Sequence, residues 1–158
     1  MGWIIKLVLL SLLCLVLTSV LVISLNNKQI PASLFNNQEI SSPSDWVKND
    51  QIKVYKDKVI LEVKKATWAS FTDTNSMDPL FDKDSNALEI VPEKEEDVNV
   101  GDIVAYQTAY GVIVHRVVEK GEDEDGVYFL VKGDNNQIKD PFKVRFSDIK
   151  GVVIAIIY

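Results

Sequence analysis

Gly101-Asp102-Ile103-Val104-Ala105-Tyr106-Gln107 and, after Thr108-Ala109-Tyr110-Gly111, the run Val112-Ile113-Val114-His115-Arg116-Val117-Val118-Glu119 decide the fold. Gly101-Asp102 supplies a tight turn that opens the first run, and β-branched and aromatic residues fill both. Each reads as a β-strand. In the second, a period of two puts Ile113, His115 and Val117 on one face and Val114, Arg116 and Val118 on the other. His115 therefore falls on an apolar face, with Arg116 opposite it and free to form an ion pair. Two roles are open to His115, a hydrogen-bonded structural residue and a general base. It is the chain's single histidine, so any histidine base has to be this one.

Working outward, the same β pattern repeats. Downstream, Val127 to Lys132 and Val152 to Tyr158 read as strands, and Glu122-Asp123-Glu124-Asp125-Gly126 as an exposed turn. The last run is too short to cross a bilayer and is expected to be a buried strand. Upstream, Ala87 to Val91 is a strand closed by Pro92, and Glu93-Lys94-Glu95-Glu96-Asp97 is a solvated loop. Thr67 to Phe71 is another strand. Ile52 to Tyr55 and Val59 to Val63 flank Lys56-Asp57-Lys58 as a hairpin. Short strands with turn signals every 8–12 residues indicate a β-rich barrel or sandwich.

The N-terminus differs. Residues 7–25 carry no charge, and at about 1.5 Å per residue they just span a hydrocarbon core of about 30 Å. A cleaved secretory signal has a shorter apolar region with a small-x-small site behind it. This run is longer and lacks that site, so it reads as an uncleaved anchor, with Trp3 at the interface. The expected orientation has the N-terminus in the cytoplasm and the remainder outside. Residues 26–51 are polar and read as a membrane-proximal linker, in which Ser44 is placed to cap a short helix near Asp45-Trp46. The organisation expected is an anchor over 1–25, a linker over 26–51 and a β-rich domain over 52–158.

Bulk properties exclude several functions. The chain has 158 residues and a net charge of −6, most of its acids lying after residue 70. An acidic domain lacks the basic stripe that nucleic-acid binding needs. One cysteine, Cys14, and one histidine leave no disulfide framework, Cys-rich site or His-pair metal motif. No Gly-rich phosphate loop occurs.

The chemistry-bearing residues lie around the two central strands. Thr74-Asn75-Ser76-Met77-Asp78-Pro79 follows a strand. Asn75 tolerates left-handed backbone and Pro79 fixes the chain just beyond. Such a turn can present the Ser76 hydroxyl and aim N–H groups at a developing oxyanion, with Thr74 as a second donor. Its alternative is an ordinary turn. Asp134, in Lys132-Gly133-Asp134-Asn135-Asn136, and Asp140, before Pro141, are both candidates to orient His115. Both positions also suit turn residues.

Together these segments resemble the type I signal peptidases, in the archaeal and endoplasmic-reticulum branch. The resemblance covers about residues 66–158 and rests on four stretches in the family's order: Asn75-Ser76-Met77-Asp78-Pro79, Gly101-Asp102-Ile103-Val104, Val114-His115-Arg116-Val117, and Lys132-Gly133-Asp134-Asn135-Asn136 with Asp140. It implies a mainly β, signal-peptidase/LexA-like catalytic domain behind a single transmembrane helix. By position it makes Ser76 the nucleophile and His115 the base. Asp140 takes the orienting role, Asp134 is a second important acid, and the Ser76 amide and Thr74 hydroxyl are oxyanion donors. It implies no cofactor and no metal. The implied partners are the membrane, preproteins bearing signal peptides and the translocation machinery. The implied location is the cell membrane, single-pass, with the catalytic domain on the extracytoplasmic side. Bacterial relatives carry lysine at the His115 position, and the family usually has glycine at that of Asn75. About 50 residues separate Leu25 from Ser76, longer than the family's usual spacing, which keeps another membrane-proximal substrate open. A catalytically silent, membrane-anchored β-domain that binds exported chains is the reading from another class. A LexA-like self-cleaving protein needs a lysine base and ranks behind both.

Overall fold

The computed structural model describes residues 2–25 and 39–158. They belong to two units, one N-terminal and one running from Ile40 to Tyr158.

The first unit contains a helix, α1 (Gly2–Leu25), among its described residues. Its 24 residues rise about 36 Å at ~1.5 Å each, enough to cross a hydrocarbon core. Leucine, valine and isoleucine cover all sides, so there is no polar face to turn toward water. Three of its hydroxyls bond back into the helix: Ser11 to the Val8 carbonyl at 2.8 Å, Thr18 to that of Cys14 at 3.0 Å, Ser19 to that of Val16 at 2.8 Å. No hydroxyl among these is left without an acceptor, as an apolar surrounding requires. The helix starts five residues before the uncharged run, taking in Trp3 and Lys6.

The second unit is mainly β. A two-stranded ribbon pairs β1 (Ile52–Val54) with β2 (Val59–Leu61). The main sheet has seven antiparallel strands: β3 (Ala66–Ser70), β4 (Asn86–Ile90), β5 (Ile103–Thr108), β6 (Gly111–Asp123), β7 (Gly126–Lys132), β8 (Val144–Arg145) and β9 (Ile149–Ile157). Their order across the sheet is β3-β4-β9-β5-β6-β7-β8. The closing strand β9 inserts between β4 and β5, which buries its Val152-Val153 pair; the run expected to be buried through Tyr158 instead emerges, with Ile157 and Tyr158 exposed. The alternation in β6 holds too: His115 and Val117 are buried, and Arg116 turns the other way into its own buried ion pair.

Both faces of the sheet are covered. Val104, Tyr106, Val117, Phe129, Val131 and Val152 form one cluster. Met77, Phe81, Ala87, Ile103 and Val153 form the other. The consecutive residues Ile103 and Val104 thus enter different clusters, and β5 is buried on both sides. Phe71 before the Ser76 turn packs against this cluster, and Met77 and Phe81 after it belong to it, so the second cluster anchors that turn.

Two stretches differ from their sequence reading. The linker expected over 26–51 divides: residues 26–38 lie outside the described residues, while residues from Ile40 onward join the β unit. No helix forms at Asp45-Trp46. Instead the Ser44 N–H donates to the Asp102 carboxylate at 2.6 Å, Arg116 donates to the Ser41 carbonyl at 3.2 Å, and Trp46 packs on the first cluster. The Asp102 side chain is fully buried and takes a second N–H, that of Asn99, at 2.8 Å. A polar stretch is held by long-range hydrogen bonds that composition cannot reveal. Strand β6 also runs past Glu119 to Asp123, because pairing with β7 continues to the Gly126 turn.

Candidate active site

Asn75 adopts the left-handed conformation, with φ of 55°, the backbone its side chain tolerates best after glycine. Asp82 fixes the turn from below: its Oδ1 accepts the N–H groups of Thr74 at 3.1 Å and Asn75 at 3.4 Å. Beyond the turn, Met77 is buried in the core. Ser76 is left half-buried at the surface, with its Oγ 3.1 Å from the Thr74 hydroxyl. The Ser76 N–H leans toward the same hydroxyl at 3.4 Å. Thr74 and the Ser76 amide therefore sit side by side.

The loop after β7 docks on this turn. The Asn135 N–H donates to the Ser76 carbonyl at 3.0 Å, and the Asn135 side-chain amide donates to the Asn75 carbonyl at 2.9 Å. Gly133 makes the approach possible, since a Cβ there would lie 2.5 Å from the Ser76 carbonyl oxygen. The same loop then returns to the sheet. The Asp140 N–H donates to the Val131 carbonyl at 2.9 Å, and Val131 faces Val117 on β6, two residues beyond His115.

That return brings Asp140 to the histidine. His115 is 6% exposed, and its Nδ1 lies 2.9 Å from Asp140 Oδ2. With Nδ1–H donating to the carboxylate, Nε2 is left as the basic nitrogen. Tyr106, fully buried one strand over, donates its hydroxyl to the same Oδ2 and lies 3.4 Å from His115 Nδ1. Burial, then the hydrogen bond to Asp140 and its negative charge, hold the Tyr106 phenol far above its ordinary range. It stays a proton donor at any working pH. No hydrogen bond joins Ser76 Oγ to His115 in this conformation; catalytic hydrogen bonds commonly tighten only once substrate is bound.

Asp134 goes elsewhere. Its carboxylate takes a two-pronged pair from Arg116, Nε to Oδ1 at 2.8 Å and Nη2 to Oδ2 at 2.6 Å, with both side chains largely buried. Arg116 also donates to the Gly101 carbonyl at 2.8 Å. The two acids left open by the sequence thus have different partners, Asp140 the imidazole and Asp134 the guanidinium. Sequence reasoning missed Tyr106, which reads as one more apolar strand residue, and Asp82. Among the described residues no cluster of three or more histidine, cysteine, aspartate or glutamate side chains is placed to hold a metal ion.

A groove of about 580 Å³ is lined by Thr74 and Ser76 together with β3, Ala105 and Val112 to Val114. β3 is an edge strand, paired only with β4, so its outer N–H and C=O groups are available to an extended peptide.

No family model matches the sequence. Over 70 residues the chain is 34% identical to the signal peptidase complex catalytic subunit SEC11C of Homo sapiens, covering 42% of this chain and 36% of that protein. Over 66 residues it is 35% identical to the signal peptidase complex catalytic subunit sec11 of Schizosaccharomyces pombe, covering 38% and 35%. It is also 46% identical over 44 residues to an uncharacterized protein of Methanocaldococcus jannaschii, covering 28% and 22%. The matching stretches span about a third or less of these relatives' lengths. At low identity and in part of its length, the chain is similar to the catalytic subunits of signal peptidase complexes.

Proposed function

We propose that this protein is a membrane-anchored serine endopeptidase that removes signal peptides from exported preproteins. The observation that carries the reading is the His115–Asp140 pair, 2.9 Å apart, whose aspartate lies on the loop that grips the Ser76 turn. The partial similarity to signal peptidase catalytic subunits supports it, as does an N-terminal helix long and apolar enough to cross a membrane.

In this reading Ser76 Oγ attacks the scissile carbonyl while His115 Nε2 takes its proton. Asp140 holds the Nδ1–H and stabilises the imidazolium that forms. The Ser76 N–H and Thr74 hydroxyl receive the oxyanion. Collapse breaks the C–N bond, and the imidazolium returns the proton to the leaving amine. Water, deprotonated by the same imidazole, then releases the acyl group and restores Ser76. The helix holds this chemistry at the extracytoplasmic face, beside the translocation machinery.

The test is a membrane-inserted preprotein incubated with the full chain in vesicles, the products read by mass. A cut after a small-x-small sequence is expected. A cut elsewhere in the preprotein points to a different membrane-proximal substrate. Intact preprotein with the protein folded and binding it points to a silent binding domain.

Tyr106 acts through Asp140 as a positioning residue. A hydrogen bond to a charged group contributes about 1.5–3 kcal/mol, and Tyr106→Phe removes one while keeping the ring. The expected result is about a tenfold lower kcat with KM unchanged. An unchanged kcat, measured with the fold intact, removes Tyr106 from the site.

A further inference from the structure

Glu89 lines the groove, and the serine chemistry does not use it. It lies on β4 opposite Thr67 of β3, two residues from buried Ala87 and so on the same face of the sheet. The residue is only 6% exposed, yet it lines the same groove as Ser76. Its Oε1 is sealed off with no partner. Among the described residues, neither carboxylate oxygen receives a hydrogen bond and no cation lies within ion-pair distance. Lys150 borders the same groove without reaching it, and Asp82 is already occupied by the Thr74 and Asn75 amides. Gly151 makes the room: a Cβ there would meet Glu89 Oε2 at 2.7 Å. Burial raises the Glu89 carboxyl above the ordinary carboxylate range.

An unpaired buried carboxyl weakens a fold, and an apolar residue would serve packing better. What makes it useful is a partner that arrives with the ligand. We propose that Glu89 forms a subsite in the groove for a substrate side chain carrying an N–H or O–H donor, cationic or neutral. This rests on the groove being the peptide cleft of the proposed peptidase. A site built to hydrogen-bond a ligand group rejects the analogue lacking it far more strongly than an apolar pocket rejects an extra methylene. Glu89 thereby sets which residue sits in that pocket, independently of which residue is cut.

The test measures binding of fluorescent peptides to the uncleaving Ser76→Ala protein, full chain in detergent. One position at a time carries lysine, norleucine, glutamine or methionine. At one position lysine and glutamine are expected to bind about tenfold or more tightly than their apolar counterparts. Adding Glu89→Leu should erase that ranking, and Glu89→Gln should keep discrimination by glutamine while weakening that by lysine. The lysine and glutamine arms separate a cationic donor from a neutral one. Both Glu89 variants should also unfold at higher temperature, with a gain that grows as pH rises: the native carboxyl keeps a proton that the unfolded chain has lost, so ionisation works against the native state. Equal ranking before and after Glu89 replacement, or no peptide bound at all, overturns the subsite. The proposed peptidase is judged separately. Ser76-dependent cutting without a Glu89-dependent ranking sinks only the subsite. A Glu89-dependent ranking without any cutting sinks only the peptidase.

Discussion

His115→Ala abolishes cleavage: a loss of about 10³-fold or more is expected, because the chain has no second histidine to take the Ser76 proton. Asp140→Asn is expected to fall nearly as far. An amide at 2.9 Å from Nδ1 can donate where the carboxylate only accepted, which turns the imidazole to the wrong tautomer. Asp134→Asn supplies the contrast. Its partner is Arg116, so its effect belongs to stability, and the folded fraction should keep its kcat. The measurement is single-turnover cleavage, with circular dichroism to establish the fold. Full activity in the His115 variant would remove histidine from the mechanism. Equal kcat losses at both aspartates would contradict the division of roles between them.

Arg116→Ala is expected to destabilise the β unit by about 3–5 kcal/mol, since removing one partner of a buried pair strands the other charge. Three parts of the chain meet at this guanidinium: Asp134 on the loop beneath Ser76, the Gly101 carbonyl before β5, and the Ser41 carbonyl ahead of the ribbon. Arg116→Lys is expected to recover little, because an ammonium cannot supply both parallel bonds. Denaturant titration followed by tryptophan fluorescence reads this directly, as Trp46 packs on the core. A loss below about 1 kcal/mol would place the pair among solvent-screened ones.

The strands were legible where side chains alternate or pack on both faces, as in Val112 to Val118 and Val152 to Val153. Asn75 and Pro79 marked the serine turn because their backbone preferences are local. What the sequence hid depends on distance along the chain. Ser44 and Asp102 are 58 residues apart, so residues 40–47 read as a tether. Val144–Arg145 is a strand of two residues, below any periodic signal. The acids 134 and 140 share one loop, and only its return to Val131 separates their partners. Tyr106 resembled core because its ring is core; its hydroxyl alone reaches Asp140. Glu89 read as one residue of a strand, and the face it shares with buried Ala87 is what puts it beside the groove.

The most direct measurement compares single-turnover cleavage of a preprotein in vesicles by the wild type and by Ser76→Ala. The account expects one cut after a small-x-small sequence, slowed about 10³-fold or more in the variant. Equal rates for the two proteins, or no cutting by either with the fold intact, would contradict it.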